Sequence, residues 1–311
     1  MNKVSNRQVI CDTLMELSKE DKNIMVLTCD SRGSASMGEF AKQYPEQFVE
    51  VGIAEQDCVG IAAGLATCGK KPYVASPACF LSMRSVEQIK VDIAYSKTNV
   101  KLIGISGGVS YGALGMTHHS LQDIAVIRAI PGIAVLLPAD RFETKKMIKA
   151  LQEYNKPAYI RIGRNPVEDV YENEDFEFEI GKANILHEGN DITIIATGET
   201  VKIALDASKR LEDIGVTCRV LSMHTIKPID EEVILKAAKE TKAIITVEEH
   251  SIYGGLGAAV SEVVCQNEPT KMKIVAIPDE APITGNSKEV FDYYGLTADN
   301  LIKIAKELLE K

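Results

Sequence analysis

Short apolar runs alternate with stretches of helical period along nearly the whole chain, and this alternation restricts the fold more than any other feature. Residues 24–27, 71–75, 100–105, 134–137 and 158–162 read as strands. Between them, residues 6–17, 37–43, about 81–96, 120–129 and 141–155 carry apolar positions at helical spacing. Further strands are expected near 192–196, 217–221, 243–247 and 272–277, with helices near 201–214, 231–240, 256–266 and 298–309. Such alternation predicts an α/β fold, with mostly parallel sheets covered by helices on both faces. The composition turns acidic and loses its period over 167–179, which reads as an exposed crossing between domains. The expected division is a first domain over 1–165, a linker over 166–180 and a second domain over 181–311, each doubly wound.

The 311 residues are 45% hydrophobic and 25% charged, enough for two cores. A net charge of −9 without a basic run disfavours partnership with nucleic acid or an anionic membrane. No apolar run approaches a membrane span and no signal peptide is visible, so a cytoplasmic protein is expected. The seven cysteines are scattered singly, as reduced core residues would be, and no metal-ligand spacing is visible.

One stretch stands out. Residues 48–69, FVEVGIAEQDCVGIAAGLATCG, read as a short buried strand (Phe48, Val49, Val51, Ile53), a turn at Gly52 and a helix that Gly69 stops. Glu55 falls in the first turn of that helix, at the carboxyl end of a strand, the edge where open parallel sheets bind ligands. A carboxylate there also complements the helix dipole and needs no further role.

Other loops at strand ends carry candidates with equally ordinary alternatives. Residues 104–119, GISGGVSYGALGMTHH, hold five glycines and end on His118, which could cap or pack; no phosphate-binding glycine fingerprint occurs. Asp30 and Ser34 could be turn residues, Phe80 a core aromatic, and Arg7, Arg161 and Arg164 solvated charges. His250, in VEEHSIYGGLG, reads as a loop residue between a strand and a helix.

Taken together, VGIAEQDCVGIAAGLA, GMTHHSLQDIAVIRAIPGIAVLLPAD and EEHSIYGGLG, in this order, resemble the C-terminal half of transketolase. The first run is similar to the form of the family's glutamate motif seen in 1-deoxyxylulose-5-phosphate synthase. The resemblance implies a pyrimidine-binding domain followed by a transketolase C-terminal domain. The family's GDG…N motif, which binds magnesium and the cofactor diphosphate, has no counterpart here, so the chain resembles the small subunit of a split transketolase.

The resemblance assigns roles residue by residue. Glu55 corresponds to the glutamate that holds and activates the aminopyrimidine of thiamine diphosphate, a role that requires burial because burial disfavours a charged carboxyl. Phe80 corresponds to the aromatic that stacks on that ring, Asp30 to an aspartate beside the cofactor, and His118 to a histidine facing the substrate. Ser34, Arg7 and Arg164 correspond to groups that grip sugar phosphate, with Arg161 a competitor for the last role. A guanidinium suits phosphate because its planar fork donates two hydrogen bonds at once. Leu114, Met116, Ser106 and Pro77 depart from the family pattern, and Leu114 replaces an aspartate that reads a donor-sugar hydroxyl. The implied activity is transfer of a two-carbon ketol unit between sugar phosphates. Synthase-like or 2-oxo acid decarboxylating chemistry and a non-catalytic subunit are the alternatives. The implied assembly is a homodimer core flanked by two partner subunits, a heterotetramer, with Mg2+ held mainly by the partner.

Overall fold

The computed structural model describes residues 4–310, so residues 1–3 and 311, at the outer limits of the two expected domains, lie outside it. Twelve strands form two sheets among the described residues. They are β1 (Ile24–Thr28), β2 (Phe48–Glu50), β3 (Lys71–Pro77), β4 (Lys101–Ile105), β5 (Ala134–Leu136), β6 (Ala158–Arg161), β7 (Asn184–His187), β8 (Ile192–Ala196), β9 (Cys218–Ser222), β10 (Thr225–Lys227), β11 (Ala243–Ser251) and β12 (Lys271–Ile277). The first sheet runs β10-β5-β6-β4-β3-β1-β2 and the second β12-β11-β8-β9-β7. Pairing is parallel except for β10 against β5 and β7 against β9. The fold is α/β, two mostly parallel sheets covered by helices.

β1 and β4 are buried at every position, as parallel strands covered on both faces must be. Separate apolar clusters lie on the two sides of the first sheet. Tyr73, Ile103, Ile160 and Phe40 pack on one side; Leu27, Leu102, Leu81 and Ile124 pack on the other. The helix Arg141–Glu153 starts where Asp140 accepts hydrogen bonds from the Phe142 and Glu143 N–H groups, at the start expected from its apolar period.

Several expectations are corrected. The strand expected over 48–53 ends at Glu50, and Ile53 is 74% exposed. The cause is topological: β2 is an edge strand paired only with β1, and Gly52, at φ +80°, turns the chain out of the sheet. The helix after β3 begins at Ala78, so Phe80 sits in a helical first turn rather than a loop. The winding then breaks at Ser85 and widens over Ile89–Tyr95. His250 is not in a loop: it lies within β11 and is fully buried. The segment 167–179 is exposed along its acidic side chains but pinned. Asp140 Oδ2 accepts the Val170 and Tyr171 N–H groups at 2.8 and 2.9 Å, and Tyr171 stacks on Phe176. The helix Ser287–Tyr294, with its Asn286–Glu289 capping box, and the short strands β7 and β10 are additions to the elements expected.

Candidate active site

The first sheet brings its loops together at the carboxyl ends of β1, β3, β4 and β6, and most of the candidate side chains meet there in one continuous string of contacts. Glu55 opens the helix Glu55–Thr67 and is buried. Its Oε1 accepts a hydrogen bond from Arg84 Nη1 at 2.8 Å. The Arg84 guanidinium carbon lies 4.0 Å from the centre of the Phe80 ring. Phe80 meets His118 edge to face at 5.2 Å, and His118 meets Tyr111 in the same way at 5.2 Å. Tyr111 in turn lies 5.1 Å beneath the Arg164 guanidinium carbon. Arg7 closes the string: its Nε and Nη2 donate to the Arg164 carbonyl at 3.0 and 2.6 Å, and its Nη1 donates to the Ser34 carbonyl.

Asp30 is not a member of this string. It is exposed, in left-handed backbone at φ 53°, at the end of β1. Glu50 ties its loop to the start of the Glu55 helix, accepting the Asp30 N–H at 2.7 Å, the Thr28 hydroxyl at 2.8 Å and the Gly52 N–H at 3.2 Å. Burial works against the charged form of Glu50. The hydrogen bonds from Asp30, Thr28 and Gly52 outweigh it and leave the carboxyl below its ordinary value.

The cationic end of the string is built for an anion. Arg7 and Arg164 stand together, and burial first, then the Arg164 charge, lowers the Arg7 pKa. Arg164 Nη1 is shielded from solvent with no hydrogen-bond partner. At the other end a buried carboxyl and the face of an aromatic ring share one planar cation, Arg84, a pair of groups matched to a planar nitrogen heterocycle. Between them His118 Nδ1 is engaged by the Thr117 hydroxyl at 3.0 Å, which leaves Nε2 for a ligand. Among the described residues no group of three or more His, Cys, Asp or Glu side chains could hold a metal ion.

Arg161 does not join this string. It is buried between the two sheets, 3.5 Å from Asp123 Oδ2 and 3.6 Å from Glu249 Oε2, and it donates to the Glu249 carbonyl at 2.7 Å. Tyr159 donates to the same Asp123 oxygen at 2.7 Å. Glu249, on β11, accepts the Val109 N–H at 2.7 Å and so holds the glycine-rich loop from the second sheet's side. Gly108, at φ +60°, leaves room where any Cβ would strike Glu249 and Arg161. Farther along, Gly115 rests against Thr284 of the C-terminal half, behind the His118 turn. The departures sit at the surface or below it: Leu114 is 53% and Met116 46% exposed, whereas Ser106 is buried with its hydroxyl unpartnered.

Arg84, Tyr111 and Glu249 are the members that sequence reasoning missed. Arg84 stands four residues after Phe80 on one helix face, a spacing that could have drawn attention to it. Glu249 joins through tertiary contact alone.

A model described as transketolase, pyrimidine binding domain, matches residues 2–168, and one described as transketolase, C-terminal domain, matches 181–301. The chain is 55% identical over its whole length to a protein of Phocaeicola vulgatus named as a subunit of apulose-4-phosphate transketolase, covering 99% of that protein. It is 37% identical, over 97% of its length, to 47% of a 1-deoxy-D-xylulose-5-phosphate synthase of Heliobacterium modesticaldum. Among solved structures, one described as a split gene transketolase, inactive beta4 tetramer, superposes with a TM-score of 0.90 at 38% identity, covering 99% of both chains.

Proposed function

The chain belongs to the transketolase family, and from that premise we propose that it is the subunit of a split transketolase that supplies the pyrimidine side of a thiamine-diphosphate site. The observation that supports this most is the unbroken run Glu55–Arg84–Phe80–His118–Tyr111–Arg164–Arg7–Ser34, which joins a ring-binding end to an anion-binding end. In this reading the two expected domains, 1–165 and 181–311, act together, because Glu249 and Thr284 of the second hold the loop that carries His118.

When bound, thiamine diphosphate supplies a nucleophilic carbon able to add to a ketose carbonyl. Glu55 would hold the cofactor's aminopyrimidine by a hydrogen bond at its carboxyl, and its burial keeps water from competing for that contact. Phe80 would offer the ring a flat apolar face, and Asp30 would stand on the cofactor's side of the β1 loop. His118 Nε2 takes up or returns the proton of a substrate hydroxyl while Thr117 holds Nδ1. Arg7 and Arg164, with Ser34 beside them, grip the phosphate end of the sugar. The burial of Arg161 between two carboxylates supports Arg164 rather than Arg161 in that role. The cofactor diphosphate and its Mg2+ ion fall to a partner subunit of the N-terminal-half type, in a heterotetramer about a homodimer of this chain. Ile53, Ile61, Met83, Val91 and Tyr95, all exposed on adjacent helices and the turn before them, offer apolar surface for such assembly. The reading implies a cytoplasmic location, and no described helix is long and apolar enough to cross a membrane.

Leu114 in place of a hydroxyl-reading aspartate favours a sugar phosphate other than xylulose 5-phosphate. Apulose 4-phosphate, in the name of the relative at 55% identity, is the first to test. A second reading, synthase-like chemistry, rests on the 37% relative and would release carbon dioxide from a 2-oxo acid. The test is calorimetry with thiamine diphosphate and Mg2+ on the purified chain, then with the partner added, followed by a ketol-transfer assay. Weak or no binding alone, with tight binding and transfer after assembly, is expected. Tight magnesium-dependent binding by the chain alone would refute the split-site reading.

A further inference from the structure

The contact between Arg84 and the ring-binding end of the site has a consequence beyond the family's pattern. The Arg84 guanidinium bridges Glu55 and Phe80: one nitrogen is 2.8 Å from the Glu55 carboxyl, and the carbon is 4.0 Å from the Phe80 ring centre. A guanidinium is planar, delocalised and weakly hydrated, so it stacks on an aromatic face while donating along its edge. An aminopyrimidine held between the same two side chains would use the same pair of contacts, a stacked face and an edge hydrogen bond with the carboxyl. Both cannot fit between Glu55 and Phe80 at once, because a packed interior offers each flat group one layer.

The carboxyl is enclosed, the ring is half-buried, and the bridge is the most exposed of the three. The Glu55 side chain is 5% exposed, whereas that of Arg84 is 46% exposed. Arg84 ends the helix Ala78–Arg84, where the winding breaks at Ser85. Its long side chain can therefore leave the gap for solvent without disturbing the helix.

We propose that Arg84 holds the place of the cofactor's aminopyrimidine in the free subunit, and that the ring site opens when this guanidinium leaves the gap between Glu55 and Phe80. The device rests on the reading of Glu55 and Phe80 as the ring site. It keeps a buried carboxyl partnered before the cofactor arrives, and it weakens ring binding by the subunit alone.

The test uses the full chain and 4-amino-5-hydroxymethyl-2-methylpyrimidine, the ring half of the cofactor, which needs neither magnesium nor a diphosphate site. Binding is read by calorimetry or ligand-observed NMR. Arg84→Ala should bind the pyrimidine about tenfold more tightly than wild type, the scale of an exposed cation–π contact plus a half-exposed ion pair. Arg84→Lys, which keeps the charge and loses the plane, should gain less. Millimolar methylguanidinium should compete with the pyrimidine in Arg84→Ala and leave wild type unaffected. Equal binding by wild type and Arg84→Ala, or no binding by either, overturns the proposal. A parallel titration of the wild-type complex with thiamine diphosphate and Mg2+ separates the two readings: tight binding there leaves the ring-site reading standing when the placeholder fails, and its absence sinks that reading instead.

Discussion

Two glutamate–arginine pairs, Glu55–Arg84 and Glu249–Arg161, set the same chemistry in opposite surroundings. Glu249 and Arg161 are each about 95% shielded, share Asp123 as a charged neighbour, and lie between the two sheets. Glu55 is equally shielded, but its arginine is half in water. Removing one member of a fully buried pair strands a charge in a medium that solvates it poorly, whereas an ion pair with one wet partner contributes little net stability. The difference teaches what each pair is for. The Arg161 pair locks one domain's glycine-rich loop to the other domain. The Arg84 pair can open, and it stands where a ligand is expected.

The sharpest break of this comparison is at the carboxyls. Glu55→Gln should leave the fold intact and lower turnover of the assembled complex by about three orders of magnitude, roughly 4 kcal/mol of barrier. Gln keeps the size and a donor but cannot yield a proton. Near-normal turnover would remove Glu55 from the mechanism. Arg161→Met should instead act on stability, costing about 3 kcal/mol in denaturant unfolding because Asp123 and Glu249 lose their counter-charge. A loss no larger than that of Arg84→Ala would erase the distinction drawn between the pairs.

Smaller effects sharpen it. His118→Ala, next to Phe80 but not in either pair, should cut turnover about a hundredfold while cofactor affinity changes little. A collapse of affinity at normal rate per bound cofactor would reassign it to the ring. The buried cluster, with Glu199 beside Gly163 close enough to feel the Glu249 charge, also predicts a pH dependence. Burial raises Glu249 to about 7 and Glu199 to about 8, although Arg161 pulls both down. A carboxyl with a raised folded-state pKa contributes stability that is whole below its unfolded value, 4.5, and is lost as pH rises through the folded value. The melting temperature should therefore fall by a few degrees between pH 6 and pH 8.5, and Glu199→Gln should flatten that slope. The least effect belongs to Arg84→Ala, which should change unfolding free energy by about 1 kcal/mol or less.

The sequence by itself determined the α/β class, the order of most strands and helices, and the loops that carry the site. These follow from local facts: apolar period, and glycine and acidic residues where the period breaks. The resemblance on VGIAEQDCVGIAAGLA and GMTHHSLQD brought Glu55, Phe80 and His118 into view, and all three stand at one sheet edge. Only the tertiary structure decided the rest. β7 and β10 are four- and three-residue strands whose pairing comes from distant partners, so their own residues carry little signal. Ile53 looked like core because it is apolar, but β2 has a neighbour on one side only. Arg161 and Arg164 are three residues apart and alike on paper. One is buried between carboxylates and the other stands over Tyr111, because the chain leaves β6 between them and turns from the interior toward the site. Burial and counter-charge depend on what the second domain packs there, and no local pattern encodes that.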